Sequence, residues 1–503
     1  MSLLGLDIGT TGCKAVLFSE DGNEYAAAYQ EYDPQRPEPG WAELDAVEVW
    51  EKIKSTIKDA AGTSGSDPVQ AIAITSMGEA MVPVSKERKI LGPSILNFDI
   101  RGAEFIDPLK EQLSDSKLYG INGNPLGNQY GLTKLMWIQK YQPERYQETY
   151  KFLNWSGFVS FLLGAEPAVD YSLANRSLLF DLDRQDWSEE LLHISGIARE
   201  KLPQAVPSGT LIGQLDPFLA EELGLPRNIP IVAGAHDQCA NAVGCGVIRQ
   251  GSAMFGMGTY FCAVPVFSTR TPTETMLSLG LNTEHHAVAG LFASFIYNQG
   301  GLLLKWYRDT YAALEHQQAK KNNRDIYADL IAEVPDSPSR VFVLPHFIPT
   351  GPPKFIDDSC GVFAGLHADT TRGEILKGIM ESVIYYLRES LSLLPEVGIS
   401  VAEYRAVGGG SRSDVWVQLS ADILEKPFVR PRVSEAGSLG AAILAGAGTG
   451  VFNSIHQGVD SMVKLGQKFE PDPIRTAIYS RQFEKYQQLG PLMRAYLKEI
   501  AAQ

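Results

Sequence analysis

A glycine-rich turn near the start of the chain has the residue types needed to hold a phosphate group. Segment 7–14 reads DIGTTGCK, and the backbone N–H groups of such a turn can form a concave set of donors for phosphate oxygens. Thr10 and Thr11 add hydroxyl donors, and Lys14 adds a positive charge. Asp7 could hold Mg²⁺, which prefers a few carboxylates together with phosphate oxygens. The order of a Walker A loop is absent, and an ordinary hairpin turn is the alternative interpretation.

A second glycine turn occurs in the other half of the chain. Residues 256–259 read GMGT, and by the same physics Gly258 and Thr259 could grip another phosphate. Each turn joins two apolar segments, as in a β-hairpin, and the two turns lie about half the chain apart. A duplicated α/β domain would produce this separation. We therefore expect two related lobes with a nucleotide in the cleft between them.

A third segment carries a candidate catalytic base. Asp237 follows an apolar strand predicted over 229–233, and ligand sites of α/β proteins gather at such strand ends. A carboxylate there could accept the proton of an attacking hydroxyl, and phosphoryl transfer needs little else beyond positioning and charge neutralisation. The alternative is that Asp237 caps the next helix.

A fourth segment places glycines directly before a predicted helix. Residues 409–414 read GGSRSD, and the glycines would allow a ribose or adenine ring to approach the backbone closely. Capping of the helix by Ser413 explains the same pattern equally well.

The elements that must position these residues alternate between strand and helix. In the first half, hydrophobic periodicity predicts a helix over 44–61 and strands over 3–8, 14–18, 24–32 and 69–75. In the second half it predicts strands over 252–255, 260–267 and 404–407 and helices over 375–394, 414–424 and 438–447. This order indicates a mixed α/β fold. The length favours two domains, which we place at residues 1–246 and 247–503.

The composition excludes several classes of protein. The 503 residues carry a net charge of −15, which argues against a broad nucleic-acid-binding surface. The five cysteines have the spacing of neither a disulfide framework nor a zinc site. Neither a signal-peptide pattern nor an apolar run long enough for a membrane span is found. We therefore expect a cytoplasmic protein without membrane or nucleic-acid partners.

These segments, in this order and spacing, resemble the FGGY family of carbohydrate kinases, which includes kinases for xylulose, ribulose, glycerol and gluconate. The resemblance covers about residues 3–490. Other segments that carry it are PGWAE at 39–43, DIR at 99–101, DYSLANRSLLFD at 170–181, GVFAGL at 361–366 and GAA at 440–442. It implies two ribonuclease H-like lobes of the actin-like ATPase fold around a central cleft, with ATP and Mg²⁺ held mainly by the second lobe and the sugar by the first.

The resemblance also implies a role for each candidate residue. Asp237 would deprotonate the substrate hydroxyl, Asp7 would help to place Mg²⁺, and Lys14 would meet the transferring phosphate. The residues implied in contacts with ATP are Thr10, Thr11, Gly258, Thr259, Gly301, Gly409 and Ser413.

The substrate side departs from the branches of the family. Where xylulose kinases usually have Met-His and glycerol kinases have Arg-Glu, this chain has Gly78 and Glu79. The usual tryptophan before the Asp-x-Arg motif is missing from LNFD at 96–99, and a commonly acidic position reads Ser156.

The side chains that we expect to hydrogen-bond the substrate are Glu79, Asn97, Asp99 and Asp237. A ketopentose, as in xylulose kinases, is the leading interpretation, and a polyol or an aldonate is the alternative. Relatives in the family often dimerise, so the resemblance leaves a homodimer open.

Two other functions are compatible with parts of the pattern. A nucleotide-switched ATPase or filament protein of the actin kind would share both hairpins, but it would not need the segments at 233–238 and 99–101. A non-catalytic sugar sensor would explain the unusual Gly78, Asn97 and Ser156, although the residues needed for phosphoryl transfer are all present.

Overall fold

Two large β-sheets, one from each half of the chain, form the frame of the molecule. The computed structural model describes residues 2–63, 68–270 and 273–502, so the terminal residues 1 and 503 of the two predicted domains lie outside the described part. The first sheet has six strands and the second has eight. Helices pack against both sheets, and the predicted α/β class is confirmed.

The strands of the first half are β1 (Ser2–Ile8), β2 (Gly12–Ser19), β3 (Glu24–Glu31), β4 (Glu43–Leu44), β5 (Val69–Ser76), β6 (Met81–Val84), β7 (Ser94–Ile95), β8 (Lys151–Asn154), β9 (Ala168–Asp170), β10 (Phe180–Asp181), β11 (Asp186–Trp187), β12 (Gln204–Val206), β13 (Leu211–Gln214) and β14 (Pro230–His236). Its helices are α1 (Ala46–Thr63), α2 (Ile106–Gln112), α3 (Asp115–Asn122), α4 (Gly131–Tyr141), α5 (Pro143–Glu148), α6 (Trp155–Leu163), α7 (Tyr171–Asn175), α8 (Glu189–Ser195), α9 (Pro217–Leu223) and α10 (Asp237–Gly244).

The strands of the second half are β15 (Gly251–Met257), β16 (Tyr260–Phe267), β17 (Glu284–His285), β18 (Phe292–Ala293), β19 (Ile296–Gln299), β20 (Phe342–Leu344), β21 (Val362–Ala364), β22 (Val401–Val407), β23 (Phe428–Pro431) and β24 (Leu465–Phe469). Its helices are α11 (Thr273–Ser278), α12 (Gly301–Tyr311), α13 (Ala313–Lys321), α14 (Ile326–Ala332), α15 (Arg372–Leu391), α16 (Asp414–Leu424), α17 (Ala436–Gly448), α18 (Ile455–Met462) and α19 (Pro473–Ala501).

The two sheets are built on the same plan. The first has the order β13-β14-β5-β1-β2-β3, in which β14, β5 and β1 are parallel and β1, β2 and β3 form an antiparallel meander. In the second, β15 and β16 form the hairpin, and β15, β22 and β23 are parallel. In the first sheet, the parallel strands β1, β5 and β14 are buried along almost their whole length, which explains their continuous apolar runs. Each predicted glycine turn therefore joins the first two strands of a sheet.

Helix α17 belongs by sequence to the second half, but it packs on the first sheet. It contacts β1, β5 and β14 and lies beside α10. The contact is close because the helix is made of small residues: a Cβ added at Gly440 would come within 2.0 Å of the Ala240 carbonyl oxygen. The two halves therefore share a buried cluster that joins β1 and α17. The division at 246 and 247 stays a prediction about the sequence, since a helix of the second half packs on the sheet of the first.

A segment of the second half also extends onto the first. The Tyr119 hydroxyl donates to the Leu281 carbonyl at 2.6 Å, and the Thr283 N–H donates to the Gly123 carbonyl at 2.8 Å. These bonds fix β17 against α7, so that Glu284 faces the first lobe. Within the described ranges, the helices include none that is both long and apolar enough to cross a membrane.

Candidate active site

Asp237 lies where strand β14, next to the edge strand of the first sheet, meets helix α10. The strand ends at His236 and the helix begins at Asp237; His236 occupies the N-cap position, so Asp237 is not the capping residue. The Asp237 side chain is 24% exposed, and Gln238 Nε2 donates to its Oδ1 at 3.1 Å. Burial raises the pKa of Asp237 to about 7, and the negative charges of Asp7 and Glu79 add to this shift. The group is thus an accessible carboxylate that gives up its proton near neutral pH.

Asp7 lies near the end of β1, opposite Lys14 on β2. Burial raises the pKa of Asp7 to about 6, with Lys14 opposing the shift and Glu435 adding to it. Lys14 Nζ pairs with Glu435 Oε2 at 2.5 Å, which links the first hairpin to the start of α17. A Cβ at Gly437 would come within 2.8 Å of Asp7 Oδ2, so the glycine leaves space for this carboxylate.

The turn between β1 and β2 is held in one shape by a buried tyrosine. The Tyr32 hydroxyl contacts two carbonyl oxygens, those of Gly9 at 2.7 Å and Gly12 at 3.0 Å. The Tyr32 N–H donates to the Thr11 carbonyl at 3.1 Å. Because these carbonyls point into the protein, the turn presents its other side outward, where Thr10 is half-buried and Thr11 is exposed.

The second glycine turn is bonded directly to the start of α12. The Gly301 N–H donates to the Gly258 carbonyl at 3.0 Å, and the Leu302 N–H donates to the Thr259 carbonyl at 3.0 Å. Gly258 and Thr259 are exposed at the tip of the β15–β16 hairpin. The structure therefore brings Gly301 against the turn residues Gly258 and Thr259, from which it lies far apart in the sequence.

The glycine segment before α16 lies against the same turn. A Cβ added at Gly408 would come within 3.2 Å of the Met257 carbonyl oxygen, whereas one added at Gly409 would meet no described atom within 4 Å. Gly409 therefore faces open space beside the hairpin. The Ser413 hydroxyl accepts the Trp416 N–H at 3.2 Å and caps α16, so the capping interpretation of this serine is confirmed.

Asp99 is enclosed by its own loop. Its side chain is 0% exposed, and its two oxygens accept hydrogen bonds from the Ala42 N–H at 2.5 Å, the Arg101 N–H at 2.7 Å and Arg101 Nη2 at 2.6 Å. Direct contact of Asp99 with a substrate would require this buried ion pair to open. The arrangement stabilises the loop, and a substrate contact by Asp99 stays a prediction that this geometry does not favour.

Asn97 and Ser156, two positions at which the substrate side departs from the family pattern, differ in their surroundings. Asn97 is exposed on the same loop, and its contact with a substrate stays a prediction. Ser156 is buried in α6, where its hydroxyl donates to the Ile74 carbonyl at 2.7 Å. Ser156 thus attaches α6 to β5.

Glu79 belongs to a buried ion cluster beside Asp237. Arg176 Nε donates to Glu79 Oε1 at 2.9 Å, Arg176 Nη2 pairs with the same oxygen, and Arg176 Nη1 pairs with Glu284. His236 connects the cluster to the candidate base, because its Nε2 lies 3.2 Å from Asp237 Oδ1. Burial and the nearby Arg176 charge hold the pKa of His236 well below its usual range, so the ring is neutral.

Sequence reasoning did not give Arg176 or Glu284 a role. Arg176 lies within the segment 170–181 that carries the family resemblance, so its position in that motif was an available signal. Glu284 lies on a strand of two residues in the other half of the chain, and no local pattern marks it.

The residues present fit a Mg²⁺ ion that is held mainly by phosphate oxygens. In the described part of the chain, no group of three or more His, Cys, Asp or Glu side chains is arranged to hold a metal. Asp7, with the space left at Gly437, is a carboxylate that could complete such a shell.

Comparison with known proteins places this site in a family. Residues 2–244 match the N-terminal domain, and residues 255–449 the C-terminal domain, of the FGGY family of carbohydrate kinases. The gluconokinase of Bacillus licheniformis is 31% identical over 458 residues, covering 90% of this chain and 88% of that protein. The glycerol kinase of Bordetella parapertussis is 31% identical over 491 residues, covering 93% of this chain and 92% of that protein.

A solved structure gives the same result for the whole molecule. The xylulose kinase from Rhodospirillum rubrum is 26% identical, with a TM-score of 0.86 over 99% of this chain and 100% of that chain. The matches to both family domains cover most of the 503 residues. This chain therefore belongs to the FGGY family of carbohydrate kinases, enzymes that transfer a phosphoryl group to a sugar hydroxyl.

Proposed function

We propose that this enzyme transfers the γ-phosphoryl group of ATP to a hydroxyl of a ketopentose, with Asp237 as the general base. The observation that carries the proposal is the position of Asp237: an accessible carboxylate at the end of strand β14, close enough to Asp7 and Glu79 for their charges to affect it. Asp237 thus lies near both Asp7 of the first hairpin and Glu79 of the ion cluster.

Asp237 takes the proton of the substrate hydroxyl as that oxygen forms a bond to the γ-phosphorus. The bond from the γ-phosphorus to the bridging oxygen breaks, and ADP leaves with the electron pair. Lys14 offsets the charge on the transferring group, while Thr10 and Thr11 donate hydrogen bonds to it. Mg²⁺, when bound, would be held by Asp7 together with the phosphate oxygens and would neutralise part of their charge.

The second lobe holds the nucleotide. Gly258 and Thr259 meet the ATP phosphates through the hairpin tip, which is the counterpart of the first turn. The nucleoside lies along Gly301 and Gly409, where the absence of side chains permits close approach, and near the capped start of α16 at Ser413. The direct bonds between these segments support one continuous nucleotide site.

A polyol is the second candidate substrate. Glu79 matches the glutamate of the glycerol kinase pattern, and relatives named gluconokinase and glycerol kinase reach the same 31% identity. Identity and overall shape therefore do not separate the branches, since xylulose, gluconate and glycerol kinases share this fold, and the ketopentose is the proposal that the assay tests.

The test is a coupled assay of ADP release with Mg-ATP and a panel of ketopentoses, polyols and aldonates. We expect ADP release that depends on a ketopentose and saturates with it. Saturable release with only a polyol would replace the leading substrate by the second candidate. ADP release that no sugar stimulates would contradict the proposal and favour a nucleotide-switched ATPase.

A further inference from the structure

Position 78 is a glycine because an arginine side chain from another segment fills the space beside it. A Cβ added at Gly78 would lie 3.0 Å from Arg176 Cγ, 3.1 Å from His236 Nε2 and 3.2 Å from Arg176 Nε. Real Cβ atoms rarely approach other atoms this closely, so a side chain at 78 would compete with Arg176 for one volume. The absence of a side chain at Gly78 is therefore what leaves room for the Arg176 side chain.

Arg176 is held firmly in that volume. Its side chain is 12% exposed, and its guanidinium pairs with both Glu79 and Glu284. The ring centroids of Tyr130 and Phe295 lie 5.0 Å and 5.8 Å from its Cζ, within the range of cation–π contacts. A guanidinium with two carboxylates and two rings has little freedom to turn toward a ligand.

The charge of this cluster is negative when both glutamates are ionised, because two carboxylates face one guanidinium. The second oxygen of Glu284 is buried and has no hydrogen-bond partner among the described residues, and His236 Nδ1, at 3.9 Å, is equally unpartnered. Asp237 adds a further negative charge. Lys14, opposite Asp7 on the first hairpin, is paired with Glu435.

We propose that Arg176, through its pairing with Glu79 and Glu284, is a specificity-determining positioning residue that makes the sugar pocket select uncharged polyhydroxy substrates and reject aldonates. The inference rests on the proposed kinase function and narrows its substrate class. Glu79, oriented by Arg176, accepts hydrogen bonds from substrate hydroxyls. A substrate carboxylate beside Glu79 would find the Arg176 guanidinium already paired and would be repelled by the net negative charge of the cluster. An ion cluster with only a structural role would stabilise the lobes without affecting the selection of neutral substrates over aldonates.

The first test changes the charge without changing the shape. Glu284→Gln removes one negative charge from the cluster, so we expect the ratio of kcat/KM for an aldonate to kcat/KM for a ketopentose to rise about tenfold or more. Assays at about pH 8 keep the wild-type Glu284 ionised, because burial raises its pKa to about 7. Glu403→Gln, which breaks the pair with Arg405 in the second lobe, is the matched control and should leave the ratio unchanged. An unchanged ratio in Glu284→Gln would overturn the inference.

The second test uses the space at position 78. Gly78→Ala should displace Arg176 and raise KM for the neutral sugar about tenfold, with a smaller change in kcat and in KM for ATP. Gly120→Ala is the control, since a Cβ there meets no described atom within 4 Å. If Gly78→Ala melts like the wild type and keeps its KM, Arg176 has no positioning role.

Calorimetric binding separates this inference from the kinase proposal. Wild-type protein that binds neutral sugars more tightly than aldonates, but releases no ADP, would uphold the pocket preference and contradict the kinase function. Tighter binding of aldonates, or no binding of any panel member, would overturn the inference. Turnover with a neutral sugar, together with weak binding of aldonates, would support both the kinase function and the pocket preference.

Discussion

Asp237 is the residue on which the proposed chemistry depends. Asp237→Asn keeps the shape of the side chain but removes the proton acceptor, so we expect kcat to fall by roughly 10²–10⁴-fold, with binding of sugar and nucleotide retained. Steady-state ADP release together with calorimetric binding would measure both quantities. Asp460→Asn, on the exposed face of α18, serves as the control for a neutral surface change. Near-normal turnover in Asp237→Asn would exclude it as the base.

The pH dependence of the reaction follows from the same carboxylate. A general base acts only when deprotonated, and burial raises the pKa of Asp237 to about 7. We therefore expect kcat/KM to fall as the pH drops below about 7, and Asp7, whose pKa burial raises to about 6, should add a second ionisation to this acid limb. In an Asp237→Glu variant that is slower but active, the midpoint pH of this acid limb should shift to the pKa of the new glutamate. A profile that is flat down to about pH 5 would argue against this assignment.

The raised pKa also affects stability, with an opposite dependence on pH from most acidic residues. The folded pKa of Asp237 is about 7, far above the ordinary value of about 3.9, so the ionised form is disfavoured in the folded state. The contribution of Asp237 to the free energy of unfolding is fully present below its pKa in the unfolded state. It is lost as the pH rises through its pKa in the folded state. Asp237→Asn should therefore melt at a higher temperature than the wild type at pH 8, and the difference should narrow toward pH 4. Equal melting temperatures of the wild type and Asp237→Asn at both pH values would show that folding does not disfavour the ionised form of Asp237.

At the scale of elements, α17 depends on backbone contacts that only glycine permits. A Cβ at Gly440 would come within 2.0 Å of the Ala240 carbonyl oxygen, and both atoms belong to packed helices. Because neither backbone can move freely, Gly440→Ala should lower the free energy of unfolding by about 1–3 kcal/mol. Chemical denaturation would measure this. Gly120→Ala, in α3, should instead be neutral or slightly stabilising, since alanine favours a helix; a similar loss in both variants would deny the packing explanation.

Most local elements could be predicted from the sequence. The prediction for α16 has the observed bounds, and β1, β2 and β5 differ from their predictions by one or two residues. Helix α15 begins three residues before the predicted 375, because Thr371 caps it through the Glu374 N–H. Local periodicity and turn residues carry enough information for such elements.

Contacts between distant segments could not be predicted in the same way. The small residues of α17 indicated close packing, but not that its partner is the sheet of the other half. Glu284 reaches Arg176 only because β17 is bonded to the first lobe. The side chain of Asp99 looked available from its motif, and only the structure shows it enclosed by Arg101.

At the scale of the whole molecule, the proposed nucleotide and sugar sites belong to different lobes. A productive complex must bring the γ-phosphate to Asp237 and exclude water from it. We expect sugar and a non-hydrolysable ATP analogue together to reduce the radius of gyration measured by X-ray scattering, while each ligand alone has a smaller effect. Identical scattering profiles with and without both ligands would contradict closure.

The packing of α17 on the first sheet has a consequence for folding during synthesis. The core around β1 and β14 is completed by residues Ala436–Gly448, which the ribosome adds after most of the chain. Until then the inner face of the first sheet, including Leu3, Val16 and Phe18, lacks its covering helix. The first lobe is therefore synthesised first but completed late, and during translation this apolar face stays without the helix that buries it in the finished protein.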